Sequence, residues 1–130
     1  MRALLPAGWP RPKGYSNAIS ARGRTIYTAG IVGWDESERF VSEDLAGQFR
    51  QILLNTIAIL AEDGAGPEHI ARMSWYVTDC DEYIASLPQI GAAYRELIGK
   101  HFPAMAVVEV RRLVEPSARI EIETIAVVPE

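Results

Sequence analysis

The chain has 130 residues, enough for one domain and too few for a second independent core. Apolar residues make up 48% and charged residues 23%, which argues against disorder. The 13 basic and 17 acidic residues give a net charge of −4, without the positive footprint of a general nucleic-acid binder. One cysteine excludes an intrachain disulfide, and only two histidines accompany it, so no zinc site is expected.

Residues 1–13 read as an irregular arm, interrupted by Pro6, Pro10 and Pro12, and residues 14–130 as a single domain. The arm's short apolar stretch is broken by Pro6, which makes a poor secretory signal, and no run approaches the ~20 apolar residues of a membrane span. A cytoplasmic protein without a membrane partner is expected. Trp9 is large enough to need a surface to cover, the domain's own core, a neighbouring subunit or a ligand that it lines.

Residues 16–21 and 25–32 read as two strands joined in a hairpin around Arg22-Gly23-Arg24. A polar loop holding Trp34 and Asp35 follows. Ser42 or Asp44 is placed to cap a long helix whose apolar stripe is Leu45, Phe49, Ile52, Leu53, Ile57 and Leu60, closed by Gly64 and Gly66-Pro67. Residues 70–78 alternate, with Ile70, Arg72, Ser74 and Tyr76 on one face and Ala71, Met73, Trp75 and Val77 on the other. Asp79 or Asp81 starts a second helix carrying Tyr83, Ile84, Leu87, Ile90, Tyr94, Leu97 and Ile98, which is kinked or restarts at Pro88. Residues 104–111 and 119–128 read as the last two strands. The order β-β-α-β-α-β-β predicts an α+β sheet with two helices on one face, and the aliphatic character of the last strands predicts an oligomer packed sheet against sheet.

Four local features are candidates for chemistry. Glu121 and Glu123 project from one face of an otherwise aliphatic strand and repel each other unless one is paired, with Arg111, Arg112 or Arg119 as the available cations, or one borders a cleft and activates water. Tyr15 follows Gly14 and either packs in the core or presents its hydroxyl to a cleft. The small residues of Thr28-Ala29-Gly30 allow either a ligand or a packed neighbour close to the backbone. His69 and His101 flank elements and read as surface or capping groups.

The segments GYSNAI, IYTAGIVGW, GQFRQILLNTIAIL, MSWYVTD, FPAMAVVEV and IEIETIAVVP, taken in order over residues 14–129, resemble the Rid superfamily, also called YjgF or L-PSP. The resemblance implies a chorismate-mutase-like fold assembled as a homotrimer, with small-molecule ligands in clefts between subunits and no cofactor. Its best-known branch hydrolyses enamines and imines such as 2-aminoacrylate. It places the water-positioning carboxylate on Glu121, the cleft phenol on Tyr15 and ligand contacts on Ala29, Gly30 and the backbone of Val107. In that branch an arginine after Phe-Pro-Ala pairs with the substrate carboxylate. Here that position is Met105, which cannot make a bidentate ion pair. An apolar wall of Met105, Ala106 or Ala29 and Val107, extended by Trp34 or Trp9, is therefore expected, with Arg11 or Arg112 as replacement cations.

The function implied is a deaminase-like hydrolase of an enamine or imine metabolite other than 2-aminoacrylate. The alternative is a non-catalytic metabolite-binding or regulatory trimer, favoured by the missing arginine. A third reading, endoribonuclease or translation inhibitor, sits poorly with the net negative charge and the lack of a basic-aromatic stripe.

Overall fold

The helix pattern sets the core. In the computed structural model, which describes residues 1–130, Asp44 is extended and its carboxylate accepts the Gly47 N–H at 2.7 Å, capping α1 (Leu45–Ala61). Leu45, Phe49, Ile52, Leu53 and Leu60 are almost completely buried along one stripe, while Ile57 is only partly covered. Each such side chain contributes roughly 1.5–3 kcal/mol on burial. Gln48 is buried on the same stripe without cost in unmet polarity. Its side-chain N–H groups donate to the Ser42 and Ser117 carbonyls, and its side-chain oxygen accepts from the Arg119 N–H.

The strands are β1 (Arg2–Ala3), β2 (Ile19–Ser20), β3 (Arg24–Tyr27), β4 (Ile31–Val32), β5 (Ile70–Val77), β6 (Ala104–Glu109) and β7 (Ile120–Val128). The main sheet runs β3-β7-β5-β6, with β4 also pairing β7. All pairings are antiparallel except β5 with β6, the parallel pair joined by the helical crossover. The covered face carries Met73, Trp75, Val77, Ile120, Ile122 and Ala126 against the helices. The opposite face leaves Tyr27 73% and Val108 46% exposed.

The α+β class, with the helices on one face of the sheet, stands as expected, with four differences in detail. Three helices, rather than two, cover the sheet. The second breaks into α2 (Cys80–Ala85) and α3 (Leu87–Leu97) because Pro88 has no N–H to continue a helix but fits a first turn. Asp79 caps α2 by accepting from the Asp81 and Glu82 N–H groups, and the Glu109 carboxylate accepts from Cys80 N–H at 2.9 Å. The expected hairpin does not form, since β2 pairs β1 and β3 pairs β7. Gly23, at φ +145°, lies against the end of β7, where a Cβ would come 2.8 Å from the Val128 carbonyl carbon, and this feeds the chain onto β7 instead of back along β2. The arm is irregular apart from β1. The strand expected over residues 25–32 is interrupted at Thr28, whose hydroxyl oxygen accepts the Thr124 N–H at 2.9 Å.

A fifth difference concerns face. Ile70 lies with the buried set because a bulge between Ile70 and Arg72 shifts the register by one residue.

Candidate active site

Strand alternation decides which side chains meet. Met105 and Val107 pair in register with Met73 and Trp75, so they face the helices, whereas Ala106 pairs with Ser74 on the open face and does not join the apolar wall expected of it. Between β6 and α2–α3 lies a cavity of about 800 Å³. Met105, Val107 and Trp75 form its sheet side, and Tyr83, Ile90 and Tyr94 its helix side. Tyr15 also lines it. The segment around Tyr15 is held beside β6 by Ser16, whose N–H donates to the Pro103 carbonyl at 3.0 Å and whose hydroxyl donates to the Phe102 carbonyl at 2.5 Å.

Five aromatic side chains line the cavity, those of Tyr15, Trp75, Tyr83, Tyr94 and Phe102. Trp75 packs on Phe49 at 4.9 Å and stands perpendicular to Tyr83 at 6.2 Å, while Tyr94 stacks on Phe102 at 5.9 Å. The Tyr94 hydroxyl donates to the His101 carbonyl at 2.5 Å, and burial pushes this phenol well above its usual range. Burial, and then the nearby Cys80, push Tyr83 up as well, so both stay protonated near neutrality. The Trp75 indole N–H is buried and has no hydrogen-bond acceptor, which costs on the order of 1–3 kcal/mol.

Glu121 lies on the other side of the sheet. Its carboxyl rests against Gly30, where a Cβ would come 2.7 Å from Glu121 Cδ. Desolvation, and then the charge of Glu123, raise the Glu121 pKa above its ordinary value. Glu123 takes neither of the adjacent arginines nor Arg119 as partner. It accepts the Tyr76 hydroxyl at 2.6 Å, and Arg119 instead donates to the Glu43 carbonyl and the Glu82 carboxylate. That bond to Glu123 raises the Tyr76 pKa, so the phenol keeps its proton and leaves Glu121 the freer carboxyl.

The sequence-predicted residues therefore divide. Tyr15, Met105 and Val107 share the helix-side cavity. Glu121 lies beside Gly30, next in the chain to Ala29, on the open face. Trp34 joins neither group. It packs edge-on against Phe40 at 5.9 Å in a loop held by Asp35, whose carboxylate accepts the Ser37 and Arg39 N–H groups, and its carbonyl accepts the Asn55 side-chain N–H at 2.7 Å. Trp9 is 60% exposed. Both histidines are structural: the His69 ring accepts the Gly66 N–H at 3.0 Å, and the His101 ring lies 2.6 Å from the Ile70 carbonyl. No three His, Cys, Asp or Glu side chains converge into a group that could hold a metal ion. A larger open groove of about 1180 Å³, between residues 40–43 and 111–119, contains Arg112, one of the two expected replacement cations, away from the cavity that holds Met105, and none of Tyr15, Ala29, Gly30, Trp34, Met105, Val107 or Glu121. No helix is long and apolar enough to cross a membrane.

Trp75, Tyr83 and Tyr94 are the cavity residues that sequence reasoning misses. They sit in the expected apolar positions, and spacing alone does not separate core from cavity wall.

Four matches bear on kinship. The family model described as Endoribonuclease L-PSP matches residues 10–128. A RutC family protein of Pyrococcus abyssi is 34% identical over 119 residues, covering 90% of this chain and 89% of that protein. The 2-iminobutanoate/2-iminopropanoate deaminase of Escherichia coli is 33% identical over 108 residues, covering 81% of this chain and 80% of the enzyme. The crystal structure of YyfB, a protein of unknown function in the conserved Rid family of Yersinia pestis, superposes with a TM-score of 0.85 at 31% identity over 98% of both chains. With nearly its whole length matched in sequence and in fold, the chain belongs to the Rid (YjgF/L-PSP) superfamily.

Proposed function

We propose that the protein is a deaminase-like hydrolase of an enamine or imine metabolite bulkier than 2-aminoacrylate, working as a homotrimer whose clefts lie between subunits. The observation that carries the reading is the division of the site. Met105, Val107 and Tyr15 line a cavity on one side of the sheet, while Glu121 and Gly30 lie on the other, and a second copy laying its open face across the cavity mouth brings the halves together. The E. coli relative named as an imine deaminase supports the reaction class.

In the closed cleft, water attacks the C=N carbon. The Glu121 carboxylate takes the proton from that water as the C–O bond forms. The nitrogen of the protonated imine takes the C=N electron pair, Glu121 returns its proton to the resulting amino group, the C–N bond breaks with its pair on nitrogen, and the hydroxyl gives its proton back to the Glu121 carboxylate as a keto compound and ammonia leave. Desolvation, and then the charge of Glu123, raise the Glu121 pKa, which makes it a better proton acceptor than an ordinary carboxylate. Tyr15 offers its hydroxyl to the polar end of the substrate. Met105 contributes packing without charge, which disfavours the smallest imino acids and accepts an apolar substituent.

Ammonia release over a panel of imines generated in situ tests the proposal. Glu121→Ala is expected to slow turnover of the best substrate by about 10²-fold or more, the usual contribution of acid–base catalysis. No release above the buffer rate from any imine removes the proposal. A metabolite retained unchanged through long incubation then favours binding without turnover, the reading that the uncharged Met105 supports.

A further inference from the structure

Resting on the hydrolase reading for the role of Glu121, we infer that Tyr76 and Glu123 are its positioning residues. The Tyr76 hydroxyl holds the Glu123 carboxylate beside Glu121, so that a proton drawn from water settles on Glu121 alone.

Three observations converge. The first is register. Tyr76 on β5 pairs with Glu121 on β7, Ser74 pairs with Glu123, and all four project from the open face. Side chains paired in this way stand about 4.5–5.5 Å apart at Cβ, so the Tyr76 ring starts directly beside Glu121. Its hydroxyl nevertheless reaches along the strand and donates to Glu123 at 2.6 Å. Gly30 lies against the Glu121 carboxyl with no room for a Cβ. Glu121 therefore has a phenol across the strand pair, a second carboxylate two residues along and bare backbone against its own carboxyl.

The second is exposure. Glu121 is partly buried, whereas Glu123 is exposed. An exposed glutamate without a partner keeps its rotamer freedom and carries its charge out into screening water. The bond from Tyr76 removes that freedom and fixes the charge on the side of Glu121. A hydrogen bond donated to a carboxylate also favours its ionised form, which leaves Glu121 as the carboxyl that takes the proton.

The third is the surroundings. The strands of this sheet carry two cations. Arg24 pairs with Asp63, and Arg72 sits opposite Ile125, two residues beyond Glu123, and makes no ion pair. Arg119, two residues before Glu121, is engaged by Glu82 and the Glu43 carbonyl. Tyr27 is the other phenol on this face and also lies opposite Ile125, while β4 and β6 bring only aliphatic side chains to it. No cation relieves the repulsion between Glu121 and Glu123. Desolvation, and then the charge of Glu123, raise Glu121 above its ordinary value. The bond to Glu123 raises Tyr76 in turn, which keeps the phenol a donor.

Two conservative variants separate the parts. Glu123→Gln removes the charge and keeps an oxygen that accepts from Tyr76, and Tyr76→Phe removes the hydroxyl and keeps the ring. The kcat/KM of the best imine from the panel is followed against pH, and its acid limb marks where Glu121 gains a proton. Glu123→Gln should move this limb to lower pH and reduce kcat on the plateau by about threefold to tenfold, since a less basic carboxylate takes a proton from water less readily. Tyr76→Phe should move the limb in the same direction, because the proton then divides between the two carboxyls. The double variant should coincide with Glu123→Gln alone, since the hydroxyl acts only through Glu123. An NMR titration of the Glu121 carboxyl carbon, assigned with Glu121→Gln, should give the same order of midpoints without any substrate. A lower kcat with an unmoved limb and midpoint in Glu123→Gln is the mark of a merely structural role and overturns the inference, as do additive shifts in the double variant. Imine turnover with unmoved midpoints removes this inference and leaves the hydrolase. Midpoints in the expected order without turnover of any imine remove the hydrolase and leave the placement of the proton.

Discussion

Glu121 has a second carboxylate two residues away and a glycine against its carboxyl. Gly30 is exposed and its φ is not positive, so alanine fits the backbone, but the new methyl displaces the Glu121 carboxyl. Gly30→Ala should therefore change stability by less than about 0.5 kcal/mol in a thermal melt. Imine hydrolysis should fall by about 10²-fold, the cost of a misplaced catalytic group. A second consequence concerns pH. Because the folded pKa of Glu121 is raised above the unfolded one, the native state binds more protons between the two values, and stability falls as pH rises through that interval. Glu121→Gln removes this term, so its melting temperature should exceed that of the wild type at pH 7 and converge with it below the ordinary carboxyl pKa of 4.5. Alternation alone reveals that Glu121 and Glu123 share a face. The choice of Tyr76 over an arginine as partner is not legible, because it depends on the cross-strand register, which the bulge at residues 70–72 resets.

Glycine and proline explain much of what happens at the scale of elements. Pro88 splits a helical stripe whose apolar spacing continues past it, so periodicity shows the helix and only backbone chemistry shows the break. Arg22-Gly23-Arg24 carries a hairpin signal, but Gly23 is used to approach β7, a long-range contact that no local pattern encodes. Gly91 is a third case. Alanine there meets no atom within 4 Å and improves helix propensity, so Gly91→Ala should stabilise the fold by about 0.5–1 kcal/mol in chemical denaturation. The same methyl intrudes on the cavity, so a more stable protein with a higher KM for its bulky substrate is the expected pair of outcomes. Unchanged stability would show that the helix is already limited elsewhere, at the α2–α3 break. The stripe of α1 was readable because its burial follows the helical period. Gln48 on that stripe was not, because its three partners come from loops 42 and 117–119.

For the whole molecule, the open sheet face and the helix-side cavity each hold half of the proposed chemistry, and the sheet between them keeps one chain from joining the two. This makes a prediction that is independent of which imine is the substrate. Glu121→Ala damages only the open-face half, and Tyr15→Phe only the cavity half. Each variant alone should be slow. When the two are unfolded together in equal amounts and refolded, subunits assort at random. In a cyclic trimer, each mixed assembly then contains one cleft in which an intact open face meets an intact cavity. Three quarters of the trimers are mixed and one cleft in three is whole, so about a quarter of the wild-type activity should return. The variants refolded separately and then combined should return none until their subunits exchange. If activity in the co-refolded mixture equals the mean of the two variants, each chain acts within its own boundaries. Glu121 must then be reached by substrate on the open face alone, and the cavity around Trp75 and Met105 would have to serve some purpose other than this reaction.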